Sequence, residues 1–300
     1  LVPPLLQSAV HQDAPAVDLQ TVAAAGDALV GAAAVGAVFD AVDRGKAAFG
    51  QPKDHAYGVL LRLSFQGIAA CRAAGVRTVM ITGDHVATAS AVARQIGIVG
   101  EGEDGIYTGA QLDSMSDGKL RGICHTAGVF ARVTPAHKLR IVRAMKANGE
   151  IVAMTGDGVN DAPAVKEASI GVAMGESGTD VTREAAQVIL LDDNFATLVA
   201  AVEEGRVIYQ NIRRFLRYLL SCNTGEVLTM FLGMLMGMPV ILTPIQLLLV
   251  NLVTDGFPAI SLGLEPAEPS VMRRPPRAPD ESIFSEGLMG KILFRGVIIG

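Results

Sequence analysis

The chain has 300 residues, of which 50% are hydrophobic and 18% are charged, and its formal net charge at pH 7 is -5. This length allows one or two domains with a sizeable core. The hydrophobic fraction and the mean hydropathy of +0.39 exceed what a soluble domain needs, which predicts that part of the chain lies in a membrane. The negative net charge argues against a nucleic-acid partner.

The first part of the chain carries no pattern that we can assign. Residues 1–66 are rich in Ala, Val and Gly, and their longest apolar run, Ala28 to Phe39, is shorter than a membrane-spanning helix. No basic region precedes an apolar one, so no signal peptide is predicted. We leave residues 1–66 unassigned, and a real domain, a disordered segment and a cloning, gene-model or frame artefact are all open interpretations.

From Gly67 onward, strand-like and helix-like runs alternate. Strands are predicted at residues 76–81, 128–133, 151–153, 170–174 and 187–191, and helices at residues 68–74, 86–96, 136–147 and 164–168. Residues 101–122 are polar and turn-rich, which is typical of an insertion. Alternating strands and helices with right-handed crossovers predict a doubly wound parallel α/β sheet.

The central motif is the stretch Met154 to Pro163, with the sequence MTGDGVNDAP. It follows an apolar strand and precedes a helix, so it is predicted to be a loop at the edge where open α/β sheets bind ligands. Asp157 and Asp161 supply hard oxygen ligands for Mg²⁺, and Asn160 can donate a hydrogen bond to a phosphoryl oxygen. A single Asp-Gly pair would be only a turn.

Two further loops are expected at the same edge. Thr82, Gly83 and Asp84 end the strand at residues 76–81. Thr134 and Pro135 are predicted as the N-cap and first turn of the next helix, which places Lys138 near the edge. Thr82 can then hydrogen-bond a phosphoryl group, Lys138 can neutralise it and Asp157 can hold the metal. Taken alone, Lys138 is more consistent with a solvated helix residue, and only its position between the two Asp loops favours the catalytic role.

These motifs resemble those of the P-type ATPases, which are ion pumps of the haloacid dehalogenase superfamily that pass through a phospho-aspartate. The resemblance implies ATP as substrate, Mg²⁺ as cofactor and a role for Thr82, Gly83 and Asp84 near the dephosphorylation water. The family carries its phosphorylated aspartate in a DKTG motif, and no DKTG occurs in this sequence. No residue is therefore assigned as the nucleophile, and the chain alone is expected to be inactive.

The last third of the chain is predicted to cross a membrane. Residues 203–217 form a basic stalk helix, and Tyr218 to Met238 and Ile241 to Leu264 are apolar runs with Glu226 and Asp255 as their only charged residues. Basic clusters at the start of the first run and after the second predict a transmembrane hairpin, with both outer ends in the cytoplasm. Residues 291–300 look like the start of a further span.

Polar residues within membrane spans are costly and by default functional. The candidate ligands of a transported ion are Asn223, Glu226, Asn251, Thr254 and Asp255. They form the hard-oxygen set that Ca²⁺ prefers, while Gly256 and Pro258 are expected to loosen the second helix and free its carbonyl groups.

Residues 223–226 and 251–256 resemble the fifth and sixth membrane helices of calcium pumps of the sarcoplasmic-reticulum type, and residues 209–215 and 272–277 match as well. The resemblance covers residues 67–300 and implies Ca²⁺ as the ion, with manganese or another cation as alternatives. It also implies a multi-pass protein of a bacterial plasma membrane, with the α/β domain in the cytoplasm. Its partners would be the lipid bilayer and the actuator, nucleotide-binding and other membrane segments of a full pump.

The predicted domains are an incomplete phosphorylation domain at residues 67–202, the stalk at 203–217, the hairpin at 218–264, a cytoplasmic loop at 265–290 and the start of a span at 291–300. The predicted function is part of an ATP-driven cation transporter. A soluble haloacid dehalogenase-type phosphatase and a non-catalytic membrane fragment are the alternatives.

Overall fold

The structure is a computed structural model that describes residues 66–100, 105–278 and 281–300. The interpretations of residues 1–65 lie outside the described residues. Helix α1, at residues 66–73, is followed by Gly75, whose φ of 73° closes the helix as the sequence predicts.

Short strands alternate with helices through the first part of the described chain. The strands are β1 (Met80–Ile81), β2 (Ile106–Thr108), β3 (Val129–Ala131), β4 (Ala153–Gly156), β5 (Ile170–Met174) and β6 (Val188–Leu190). The helices are α2 (Val86–Gln95), α3 (Gly109–Asp113), α4 (Asp117–Cys124), α5 (Pro135–Ala147), α6 (Ala162–Glu167) and α7 (Asp180–Ala185). The predicted alternation is confirmed.

One segment differs from the prediction. Residues 105–124, where the sequence predicted a polar and turn-rich insertion, form the regular elements β2, α3 and α4, and β2 pairs with β3. All three residues of β2 are only partly buried. The strand therefore lacks the continuous apolar run by which a buried parallel strand is recognised in a sequence.

All strand pairs are parallel, and they form two three-stranded sheets with the orders β1-β3-β2 and β4-β5-β6. The prediction of a parallel α/β fold is thus right, but in the described residues one doubly wound sheet is replaced by two. Met80 and Ala153 contribute to one apolar cluster, while Ile81 and Met154 contribute to another. Because successive strand residues point to opposite faces, both sheets lie between the same two apolar layers.

The predicted stalk and first apolar run form one continuous helix, α8, at Phe195–Leu235 (41 residues). At 1.5 Å per residue it is about 60 Å long, roughly twice the hydrocarbon thickness of a bilayer. Its first turns bury Phe195, Leu198 and Val202 in the core of the α/β domain. Its last turns expose large apolar side chains, including Val227 and Phe231. The helix therefore connects the α/β domain to an apolar surface.

The second apolar run is not a regular α-helix. It consists of α9 (Pro244–Leu249), a π-helix (Val250–Asp255) and α10 (Gly256–Gly263). Together, Pro244–Gly263 is the one described helix that is long and apolar enough to cross a membrane. The apolar part of α8 contains Asn223 and Glu226, which lower its hydropathy. The hairpin and the further span therefore stay predictions.

The last helix, α11 (Leu288–Ile299), packs closely on α8. A Cβ atom at Gly225 would lie 2.8 Å from Ile299 Cγ2, and one at Gly296 would lie 2.5 Å from Thr224 Cγ2. Small residues at these contacts allow the two backbones to approach, as in membrane helix pairs.

Candidate functional site

The structure joins two of the three predicted loops by a buried ion pair. Lys138 Nζ donates a hydrogen bond to Asp161 Oδ1 at 2.7 Å, and the two side chains are only 6% and 2% exposed. Lys138 comes from the first turns of α5, and Asp161 directly precedes α6. The burial of Lys138 excludes the solvated interpretation that its sequence position allowed.

The local sequence around Thr134 explains where Lys138 lies. Thr134 is the N-cap of α5, its hydroxyl accepts from the His137 amide at 3.4 Å, and His137 Nδ1 accepts from the Thr134 amide at 3.1 Å. Pro135 occupies the first turn, as predicted. Because Nδ1 is an acceptor, His137 Nε2 carries the proton and donates to Asp113 Oδ1 at 2.7 Å. This capping box sets the start of α5 and thus the position of Lys138.

The central loop is shaped by a glycine and by two threonines. A Cβ atom at Gly156 would lie 2.6 Å from Asp161 Cβ, so only glycine lets the Asp161 side chain lie there. The Thr179 amide donates to the Asp157 carbonyl at 2.8 Å, and Thr182 Oγ1 donates to the Gly158 carbonyl at 2.8 Å. The sequence analysis missed both threonines, because they lie more than twenty residues away in an unremarkable stretch.

The side chains of the central loop differ in exposure. Asp157 and Asp161 are buried at 6% and 2% exposure, whereas Asn160 is exposed. The two carboxylates therefore lie below the protein surface at this edge of the sheet, whereas a ligand from solvent can reach Asn160 directly.

The third loop is held at the end of β1. Thr82 is 1% exposed, and its amide donates to the Phe130 carbonyl at 2.9 Å. The Asp84 amide donates to Thr82 Oγ1 at 3.1 Å, and the Arg132 amide donates to the Asp84 carbonyl at 3.0 Å. Residues 82–84, including the exposed Gly83, are thus tied to the carboxyl end of β3. This is the strand whose following helix carries Lys138.

The donor set at this edge fits Mg²⁺ bound together with a phosphate. Asp157 and Asp161 are the two carboxylates of the central loop. In the described part of the chain, no group of three or more His, Cys, Asp or Glu side chains could hold a metal ion. Mg²⁺ uses one or two protein carboxylates and takes its other ligands from water and phosphate. The residues therefore suit Mg²⁺ and do not form an all-protein metal cage.

The second predicted site lies where α8 meets the π-helix. Asn251 Nδ2 donates to Glu226 Oε2 and to the Leu247 carbonyl, both at 3.1 Å. Asp255 is 3% exposed. Among the described residues, neither Glu226 Oε1 nor Asp255 Oδ2 has a hydrogen-bond partner, although both atoms are buried. Buried acceptors without a donor are unfavourable, and a bound cation would satisfy both oxygens.

Two of the predicted ligands of the transported ion, Asn223 and Thr254, differ from the others in exposure. The Asn223 and Thr254 side chains are exposed, unlike Asp255 and the Oε1 atom of Glu226, which are buried. The Thr254 carbonyl accepts a hydrogen bond from the Tyr218 hydroxyl at 3.3 Å. Four residues later, Pro258 has no amide hydrogen to complete an α-helical bond to this carbonyl. The loosening predicted from Gly256 and Pro258 is therefore present as the π-helix.

A buried arginine connects the α/β domain with the loop after α10, and sequence reasoning missed it. Arg206, on α8, is 6% exposed. Its guanidinium donates to the carbonyls of Ala74 at 2.8 Å, Arg274 at 2.9 Å and Val271 at 3.1 Å. Burial lowers the pKa of Arg206. All three acceptors are backbone groups distant in sequence, so no local pattern distinguishes Arg206 from the solvated arginines of a stalk.

Comparisons with known proteins show which families this chain resembles. Residues 22–169 match a family model described as haloacid dehalogenase-like hydrolase, and residues 239–300 match one described as cation transporting ATPase, C-terminus. The chain is 53% identical over 235 residues to a calcium-transporting ATPase of Bacillus subtilis (strain 168), covering 78% of this chain and 26% of that protein. It is also 53% identical over 233 residues to calcium-transporting ATPase 1 of Bacillus cereus (strain ATCC 10987 / NRS 248), with the same two shares.

The fold and the matches define a haloacid dehalogenase-like domain followed by the C-terminal region of a cation transporter. The chain belongs to the P-type cation-transporting ATPase family, as its motifs predicted. It spans about a quarter of the length of the curated relatives that it matches. The first family match begins at residue 22, within the segment that the sequence analysis left unassigned.

Proposed function

We propose that this chain is part of a Ca²⁺ pump in which ATP hydrolysis, through a phospho-aspartate, drives ion transport. The observation that carries the proposal is the pair of buried carboxylate oxygens, Glu226 Oε1 and Asp255 Oδ2, that have no partner among the described residues. A divalent cation with a preference for hard oxygen ligands matches this pair. The printed names of both relatives, calcium-transporting ATPases, favour Ca²⁺ over other cations.

The described residues would supply only part of the ion site. Asn251 donates to one oxygen of Glu226, and the other oxygen is buried without a partner among the described residues. Asn223 and Thr254, which remain candidate ligands by sequence, would have to turn inward. Since Ca²⁺ takes six to eight oxygen ligands, further ligands would come from membrane segments outside this chain.

The cluster around Lys138 and Asp161 would carry the phosphoryl chemistry. Lys138, held buried by Asp161, would direct its charge to a phosphoryl oxygen, and Thr82 would hydrogen-bond the same group. Asn160 would bind from the exposed side, with Gly83 and Asp84 beside the attacking water. Asp157 and Asp161 would hold Mg²⁺, which when bound neutralises charge on the phosphoryl oxygens.

The described elements offer a physical route between the two reactions. Helix α8 has one end in the core of the α/β domain and carries Glu226 near the other. Arg206 ties this helix to the end of α1 and to the loop that follows Asp255 and α10. A rearrangement of the phosphorylation domain would thus move both sides of the ion site. The protein would lie in a bacterial plasma membrane, with the α/β domain in the cytoplasm.

The proposal includes the inactivity of this chain by itself. No DKTG nucleophile occurs in its 300 residues, so the phospho-aspartate would form in another part of the pump. We expect no ATP-dependent phosphoenzyme from this polypeptide alone, and formation of one would contradict this part of the proposal.

The ion site is tested in a completed pump, in which residues 67–300 are joined to the remaining segments of a Bacillus relative. Glu226→Ala or Asp255→Ala should abolish Ca²⁺-dependent phosphorylation from ATP, because each removes one of the two buried carboxylate oxygens that have no partner among the described residues. Thr229→Ala is the matched control, since among the described residues the Thr229 hydroxyl bonds only to the Gly225 carbonyl of its own helix. Unchanged Ca²⁺ dependence in both carboxylate variants would remove them from the site.

A further inference from the structure

Two arginines near the cytoplasmic end of the membrane region stand out because of their surroundings. Arg217 lies on α8 and Arg295 on α11, where Gly296, the residue after Arg295, packs against Ser221, one helical turn after Arg217. Burial and then the positive charges of Arg295, Arg214 and Arg213 lower the pKa of Arg217. Packing of α11 on α8 thus keeps the two arginines on neighbouring turns, although like charges repel each other.

The neighbouring arginines of the same helix are neutralised by carboxylates. Arg213 pairs with Glu286 at 2.9 Å, and Arg214 pairs with Glu265 at 2.5 Å and with Glu268. In the described part of the chain, neither Arg217 nor Arg295 makes an ion pair with an acidic side chain. The pair thus forms an uncompensated positive site.

The position of Arg295 is unusual for a charged residue. It is exposed in the middle of α11, with the exposed apolar residues Leu293 and Phe294 before it and Val297 and Ile298 after it. A charge on such an apolar surface is costly unless its long side chain reaches a polar group at the membrane interface. Close packing of α11 on α8 through Gly296 and Thr224 places this surface beside the first residues of the apolar part of α8.

We propose that Arg217 and Arg295 together bind the headgroup phosphate of an anionic phospholipid at the cytoplasmic face, with its acyl chains against the exposed apolar side chains of α11. Guanidinium groups match a phosphate in charge and in hydrogen-bond geometry. The flanking apolar residues favour a lipid over a soluble phosphate compound. The inference rests on the proposed membrane location but not on the identity of the transported ion.

The test measures lipid binding by the chain itself. The 300-residue chain is purified in neutral detergent without Ca²⁺ and titrated with phosphatidylglycerol or with phosphatidylcholine, and bound lipid is counted by native mass spectrometry. We expect a preference for phosphatidylglycerol that Arg217→Gln with Arg295→Gln weakens about 25-fold, from about fivefold per basic side chain near an anionic surface. The Arg217→Lys and Arg295→Lys double variant should retain most of the preference, because both charges remain.

Arg273→Gln is the control for loss of a positive charge, because it removes one arginine from an exposed position in the loop after α10. It should leave the lipid preference unchanged. If Arg273→Gln weakens the preference for phosphatidylglycerol as much as the double Gln variant does, the site is overturned. The site is also overturned if the double Gln variant shows the same lipid preference as the wild type. Displacement of the lipid by soluble glycerol phosphate would overturn the lipid as ligand.

The outcome also separates this inference from the proposed function. A chain that binds neither lipid would contradict the membrane location and this site together. A chain that binds both lipids equally would refute this site alone. Loss of Ca²⁺ dependence in Glu226→Ala does not bear on the lipid titration, which contains no Ca²⁺.

Discussion

The buried ion pair between Lys138 and Asp161 allows a quantitative test of the catalytic cluster. Lys138→Met removes the partner of a carboxylate that is 2% exposed and leaves the methylene part of the side chain in place. Breaking a buried pair in this way costs about 3–5 kcal/mol, because it leaves an uncompensated buried charge. We therefore expect the free energy of opening around α5 and β4 to fall by this amount.

The same helix provides the control. Arg143 pairs with Glu167 at 3.1 Å, but their side chains are 63% and 28% exposed. An exposed pair contributes about 0–1 kcal/mol, so Arg143→Met should lower the free energy of opening around α5 and β4 by about 1 kcal/mol at most. Both replacements put Met on α5, so helix propensity and side-chain volume are closely matched.

The measurement is amide hydrogen exchange by mass spectrometry on the detergent-solubilised chain, in increasing urea, for peptides that cover α5 and β4. The double variant Lys138→Met with Asp161→Asn should cost less than the sum of its single variants, because the buried charge is then absent. If Lys138→Met costs no more than Arg143→Met, the pair is not buried as described, and the proposed role of Lys138 loses its structural basis.

Two further predictions concern packing and thiol chemistry. Gly156→Ala should destabilise β4 and α6 by about 1–3 kcal/mol, because its methyl group would overpack against Asp161. Gly122→Ala in α4, where nothing lies within 4 Å of the added methyl group, should be neutral or stabilising. Equal effects of the two variants on hydrogen exchange would contradict the described contact. Burial raises the pKa of Cys71 to about 11, and burial followed by the charge of Glu150 raises that of Cys124 to about 12. Both thiols should resist iodoacetamide at pH 8 until urea unfolds the domain, and rapid alkylation of the folded chain would refute their burial. The stability that the protonated thiols contribute should be lost as the pH rises from about 9 toward their raised pKa values.

Local patterns were enough to predict several parts of the site. Thr134 and Pro135 identify the start of α5 because an N-cap and a first-turn proline act within a few residues, and the structure confirms both. The same holds for Gly75 as a helix stop, and the π-helix just before Gly256 and Pro258 agrees with the loosening predicted from these two residues. The roles of the catalytic and ion-binding residues stay predictions, since they depend on ligands and segments outside the described residues.

Other features could not be predicted because they depend on distant contacts. β2 is too short and too exposed to show a buried-strand pattern, and only pairing with β3 makes it a strand. Thr182 is buried because its hydroxyl meets the Gly158 carbonyl 24 residues away. Arg206 is buried because three carbonyl groups from two separate segments meet its guanidinium group.

The sequence by itself determined the family, the alternation of strands and helices and the chemical types of residue at both sites, because motifs and periodicity are local properties of the chain. Only the tertiary structure decided that Lys138 is buried against Asp161, that Asn251 holds Glu226 while Asn223 and Thr254 are exposed, and that the strands form two parallel sheets in the described residues. These outcomes depend on which side chains exclude water from one another. That exclusion is set by contacts between residues far apart in the chain, and no short stretch of sequence contains it.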